Sequence, residues 1–136
     1  MDLATTLRWT AERHPDRTAV SGAGRHLTYR AWDGRVNQLA RALRASGVGP
    51  GDRVALSLTG GEPLASLHLA AQVLGAVSVP LSTRFAVDEL AYCLDDAQAS
   101  LAVTDDAQSE RTAAAAGAVP VRTAAELDAA AEREPD

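Results

Sequence analysis

Three short apolar runs most constrain what this chain can fold into: residues 53–58 (RVALSL), 77–81 (VSVPL) and 100–104 (SLAVT). Two stretches of helical period separate them. The first carries Leu64, Leu67, His68, Ala71 and Leu74; the second, over residues 87–97, carries Leu90, Cys93, Leu94 and Ala97. Strands that are apolar nearly throughout are covered on both faces, and strand–helix–strand alternation makes parallel neighbours. The predicted class is therefore α/β: a parallel, Rossmann-like βαβ sheet flanked by helices, with right-handed crossovers.

Upstream, Leu3, Leu7 and Ala11 predict a helix that Asp2 caps and Pro15 ends. Residues 18–20 and 26–29 read as two short strands joined by a turn over 21–25, a β-hairpin at the start of the fold. A longer helix follows, with Trp32, Val36, Leu39, Ala40 and Leu43 on one stripe, Arg30, Arg41 and Arg44 off it, and Gly47 as its stop. Pro50 and Gly51 fit a type II turn. After residue 105 the chain is alanine-rich, and 106–136 reads as a helical tail interrupted by Val119, Pro120 and Val121.

At 136 residues the chain has one domain's length, and 46% apolar content suffices for a core. A net charge of −5 argues against a nucleic-acid or membrane-surface partner. No basic-then-apolar leader and no membrane-length apolar run is present, so a cytoplasmic location is the expectation. All 13 basic residues are arginines.

Local chemistry is sparse. Thr59, Gly60, Gly61, Glu62 and Pro63 join a strand to a helix N-terminus, where free N–H groups can bind phosphate. The spacing matches no dinucleotide fingerprint, a P-loop needs a lysine, and Glu62 would repel an anion, so a plain connection is favoured. A small dinucleotide-binding protein is disfavoured for the same reason. His14, His26 and His68 lack metal-ligand spacing, and His68 reads as a packed or interface residue. Asp95, Asp96, Asp105 and Asp106 read as solvated element ends rather than a cation site. The lone Cys93 excludes an internal disulfide and reads as a buried core residue. No catalytic set and no metal site is proposed.

Three stretches carry more. "HPDRTAV" is followed by "LTYRAWDGRVNQLARALRASGVGPGDRVAL" and then by "LGAVSVPLSTRFAVDELAYCLDDAQASLAVTD". In order and spacing these resemble the N-terminal region of the adenylate-forming, AMP-binding superfamily, which includes acyl- and aryl-CoA synthetases and the adenylation domains of nonribosomal peptide synthetases. The resemblance is clear over about 14–105, roughly two-thirds of the chain. "PLSTRF" looks more like the CoA-ligase branch. The departures are Ala31, where glutamate is usual; Trp32, where leucine is usual; and Ala86, where a capping Ser or Thr is usual.

The resemblance implies that residues 1–136 form the N-terminal part of a large AMP-binding domain. The complete enzyme would use ATP, Mg and CoA to convert a carboxylic acid substrate to an acyl-adenylate and then a thioester. The superfamily's phosphate loop, ribose-binding aspartate and adenylation lysine have no counterpart here. The chain alone is accordingly expected to bind no cofactor and catalyse nothing. Its expected partners are the remaining subdomains, in cis or in trans. Self-association is expected through an apolar face on the helix of residues 64–74, including His68. The one candidate site residue is Arg84, whose position in CoA-forming relatives lies near the CoA tunnel and can meet a CoA phosphate; the competing reading pairs it with Asp88 or Glu89. A freestanding binding module, half of a split enzyme and a peptide-synthetase adenylation fragment remain alternatives.

Overall fold

The structure, a computed structural model, describes residues 2–22 and 24–133. Helix α1 (Leu3–Arg13) leads into strands β1 (Thr18–Gly22) and β2 (Arg25–Thr28), which pair antiparallel. Ala23, in the expected turn of this hairpin, lies outside the described residues. Then follow α2 (Tyr29–Ala45), β3 (Arg53–Ser57), α3 (Glu62–Val73), β4 (Val77–Pro80), α4 (Val87–Asp96), β5 (Leu101–Thr104), α5 (Ser109–Ala116), β6 (Val121–Thr123) and α6 (Ala124–Glu132). The sheet is parallel, in the order β4-β3-β5-β6. The α/β class, the hairpin and the βαβ sheet expected from the sequence are all present.

The alanine-rich tail needs correction: it is not helical throughout. Residues 121–123 form β6, the fourth strand of the sheet, beside β5. Pro120 stands just before β6, where its carbonyl accepts from Ala102 N at 2.9 Å. Tyr29, expected to end a strand, is the first residue of α2. The helix starts there because Thr28 Oγ1 accepts from Ala31 N at 3.2 Å.

The two capping departures are complementary halves of one device. At α2 the threonine is present and the returning glutamate is replaced by Ala31. At α4 Ala86 offers no hydroxyl, but Glu89 Oε1 accepts from Ala86 N at 3.1 Å. Trp32 is accommodated by a polar contact: its indole N–H donates to Ser66 Oγ at 2.8 Å.

The β4 edge of the sheet is protected by proline. Val77 N and Leu81 N donate to Asp52 O and Leu56 O, so alternate residues of β4 face β3. Ser78 and Pro80 therefore face outward, and Pro80 has no N–H to offer another strand. Helices α1, α2, α3 and α6 bury the larger core, with Val36, Leu39, Leu43, Val54, Leu56, Leu67, Leu101, Val103 and Leu127 almost wholly enclosed. A smaller cluster of Ala55, Leu90, Leu94, Ala102, Ala115 and Ala116 underlies α4 and α5.

Candidate functional site

Parallel strands end on one edge of the sheet, and open α/β sheets place ligands there. Three connections meet at that edge, following β3, β4 and β5. Their chemistry differs.

The turn after β3 holds Gly60 and Gly61, the latter at φ +113°, a conformation only glycine adopts freely. One of its backbone donors is already taken by a carboxylate of the chain. Asp105 Oδ2 accepts from Thr59 N at 2.8 Å, and Asp105 Oδ1 accepts from Gln108 N at 3.0 Å. Glu62, at the first turn of α3, accepts from Arg25 Nε at 2.9 Å and Arg35 Nε at 3.0 Å, and also from the Ser66 hydroxyl. Its side chain is only 5% exposed. Arg35 reaches on to Asp128 Oδ1 of α6 at 2.9 Å. Burial would lower the Arg35 pKa, but hydrogen bonds to Glu62 and Asp128 outweigh it and hold the group above its ordinary value. This turn is a poor place for a phosphate: the buried Glu62 carboxylate stands at its end and already engages the two nearby arginines.

Beneath the connections lie three buried hydroxyls. Thr104 Oγ1 donates to Ser57 O at 2.9 Å, Thr112 Oγ1 donates to Gln108 O at 2.8 Å, and Thr112 Oγ1 lies 3.0 Å from Ser57 Oγ. The set is internally satisfied, as buried polar groups must be.

The connection after β4 is different. Phe85 N donates to Ser82 O at 3.3 Å, closing a turn, and Arg84 N donates to Ser82 Oγ at 3.1 Å. Arg111, on α5, donates from one terminal nitrogen to Phe85 O at 2.6 Å and to Thr83 O, and from the other to Gln108 Oε1. The side chain of Arg84 is exposed and makes no hydrogen bond or ion pair among the described residues. The expected alternative, pairing with Asp88 or Glu89, is not formed; Glu89 caps α4 instead.

The other singled-out residues are structural. His68 bonds Ser78 Oγ through Nδ1 and lies 3.0 Å from Gln72 Nε2 through Nε2, and Gln72 Oε1 accepts from Leu3 N at 3.1 Å. His26 bonds Thr18 Oγ1 across the hairpin. Among the described residues no His, Cys, Asp or Glu group is arranged to hold a metal. Cys93 is half-buried rather than buried, on α4 between the exposed Tyr92 and the half-buried Phe85 of the preceding turn. Helix α3 encloses Leu67, Ala70 and Ala71 beneath α1 and α2, while Ala65 and Val73 are exposed and His68 and Leu69 line an apolar groove with Leu3, Tyr29 and Trp32. Arg35 and Arg111 were invisible to sequence reading, since, Gln108 beside Arg111 apart, their partners stand 26 to 93 residues away.

The profile of the AMP-binding enzyme family matches residues 7–136. The chain belongs to the AMP-binding enzyme family. That match reaches past the 14–105 stretch whose motifs were legible and takes in β6 and α6. Feruloyl-CoA synthase of Amycolatopsis sp is 44% identical over 129 residues, covering 93% of this chain and 26% of that protein. Phosphinothricin tripeptide synthetase PhsC of Streptomyces viridochromogenes is 36% identical over 104 residues, covering 76% of this chain and 10% of that one. The chain thus spans about a quarter of the length of the first and a tenth of the second. The N-terminal domain of FACL13 from Mycobacterium tuberculosis superposes with a TM-score of 0.92 at 25% identity, over 99% of this chain and 37% of that structure. Within the AMP-binding family, then, this chain is CoA-ligase-like, with peptide synthetases among its relatives. No helix among the described residues is long and apolar enough to cross a membrane.

Proposed function

We propose that this chain is the N-terminal part of an ATP-dependent CoA ligase for an aromatic carboxylic acid, and that Arg84 contacts a phosphate of CoA. The observation that carries the ligase reading is the 44% identity with a feruloyl-CoA synthase over 93% of the chain. A hydroxybenzoate–CoA ligase of Thauera aromatica, 37% identical over 90 residues, supports the aromatic class. Arg84 is a guanidinium at a strand's C-terminal end with no protein partner, and a planar fork of donors suits a phosphate. In this reading residues 1–136 wall the acyl and pantetheine sites. The rest of the enzyme supplies the ATP-binding groups and the lysine this chain lacks, and ATP with Mg supplies the activating phosphoryl chemistry.

The test is to express the whole reading frame and follow pyrophosphate release and thioester formation separately. Aromatic acids should give both, with CoA as acceptor. A charge-assisted hydrogen bond is worth roughly 1.5–3 kcal/mol. Arg84→Ala should therefore raise KM for CoA about tenfold to a hundredfold, with solvent screening favouring the low end, and leave adenylation intact. A frame that stops at residue 136 overturns the ligase reading in favour of a module or split enzyme. The peptide-synthetase relatives support a second reading, an adenylation domain; transfer to a carrier-protein thiol and not to CoA would establish it.

A further inference from the structure

We propose that Arg111 is the positioning residue for Arg84. It holds the turn of residues 82–85 so that Arg84 offers its guanidinium to an anionic ligand, and the proposal rests on the reading of Arg84 given above. The two carbonyls that bracket Arg84 in sequence, Thr83 O and Phe85 O, are both captured by one terminal nitrogen of Arg111. The opposite side of the turn is closed by Ser82, through its carbonyl to Phe85 N and its hydroxyl to Arg84 N. Phe85 adds an apolar anchor, half-buried against the cluster under α4 and α5. Four backbone groups around Arg84, its own N–H, the Phe85 N–H and the Thr83 and Phe85 carbonyls, are thereby held, while its side chain stays unengaged. A loop with this much internal bonding loses little conformational entropy when a ligand arrives.

Arg111 is suited to the task because it is bifunctional. One terminal nitrogen takes the two carbonyls and the other takes Gln108, which Asp105 in turn holds through the Gln108 backbone N–H. The buried Arg111 Nε has no partner, so the hold on the turn runs through the terminal nitrogens. Lysine keeps the charge but has a single nitrogen and cannot span both sets. The geometry thus links the turn after β4 to the turn after β5 through one side chain of α5.

The experiment has two arms. Amide hydrogen exchange at Arg84 and Phe85, read on this chain, reports turn order independently of any ligase activity. Arg111→Gln should speed exchange there at least tenfold and leave the β3 and β5 amides unchanged. In the intact enzyme, Arg111→Gln should raise KM for CoA about tenfold without changing the adenylation rate. Adding it to Arg84→Ala should raise KM no further, because it acts only through Arg84. Arg111→Lys should fall between wild type and Arg111→Gln in both arms, and serves alone if the glutamine variant does not fold. Unchanged exchange overturns the proposal outright. Faster exchange with unchanged KM, where Arg84→Ala does raise it, also overturns it and spares the reading of Arg84. Additive losses in the double variant show a role apart from Arg84 and overturn it too. If neither Arg84→Ala nor Arg111→Gln moves KM, the reading of Arg84 itself fails and takes this proposal with it.

Discussion

The two faces of the sheet are built from the same strands and differ in kind. Along β3, Val54 and Leu56 belong to the core under α1, α2, α3 and α6, whereas Ala55 belongs to the cluster under α4 and α5. Along β5, Leu101 and Val103 lie on the first face and Ala102 on the second. Ser57 and Thr104 meet Thr112 of α5, so they too lie on the second. The strands alternate in size and in polarity: large aliphatics on one side, alanine and hydroxyls on the other. The large side supplies packing. The small side lets α5 approach closely enough for Arg111 to reach the turn after β4. Stability and site presentation are thus divided between the faces.

The sharpest way to break this division is to remove equal volumes from each face. Leu43 and Leu90 are both fully buried. Leu43→Ala should cost the upper half of the roughly 2–5 kcal/mol seen for such truncations, since helices on several sides prevent collapse. Leu90→Ala should fall in the lower half of that roughly 2–5 kcal/mol range, because α4 is covered on one side only and can settle inward. Urea midpoints at unchanged slope measure both. Equal costs would remove the asymmetry.

The next test addresses the polar staple of the large face. Glu62→Gln leaves Arg25 and Arg35 without their carboxylate. The expected loss is about 3 kcal/mol, the low end for breaking a buried ion pair, because Arg35 keeps Asp128 and Arg25 reaches water. Thermal and urea unfolding would read it; a loss well below about 1 kcal/mol, the range of exposed pairs, would make the network a surface feature. On the small face, Thr112→Val removes the hydroxyl that meets Ser57 and Gln108. It should cost about 1–3 kcal/mol, the penalty of stranding buried polar groups, measured by the same unfolding curves. A neutral outcome would mean that face tolerates an apolar packing.

How much of this was legible beforehand follows from where each signal lies. The helices and strands β3, β4 and β5 announce themselves through local pattern, and Thr28, Asp2 and Gly51 act on neighbours in sequence. The division of the faces was hidden, because RVALSL and SLAVT read as uniformly apolar until pairing shows which residues point where. Strand β6 was obscured by its short length, and it gains its place only by pairing with β5. Arg84 was singled out through the resemblance to CoA-forming relatives, with its place after a strand in support. Arg111 was not: in an alanine-rich helix it looks like a solvated charge, and only the fold brings residues 83 and 85 to it.

The smallest expected effect concerns the rim of the large face, where α1 meets α2. Asp33 is half-buried there, and burial raises its pKa. Arg8 pulls the value down and Glu12 pushes it up. The folded state therefore binds the Asp33 proton more tightly than the unfolded chain does. Stability is lost as pH rises through the window between the ordinary aspartate value and the raised one; below that window both states are protonated and the penalty vanishes. Asp33→Asn removes the charge at every pH. The variant should be slightly more stable at neutral pH, by at most about 0.5 kcal/mol given how exposed the group is. The advantage should shrink as pH falls toward the ordinary aspartate range. Paired unfolding curves across that interval measure it. A gap that does not change with pH would mean that the charge of Asp33 is not what sets it, and a variant less stable than wild type at neutral pH would mean that Asp33 makes a net favourable contact with Arg8, so that the rim is held by charge and not merely tolerant of it.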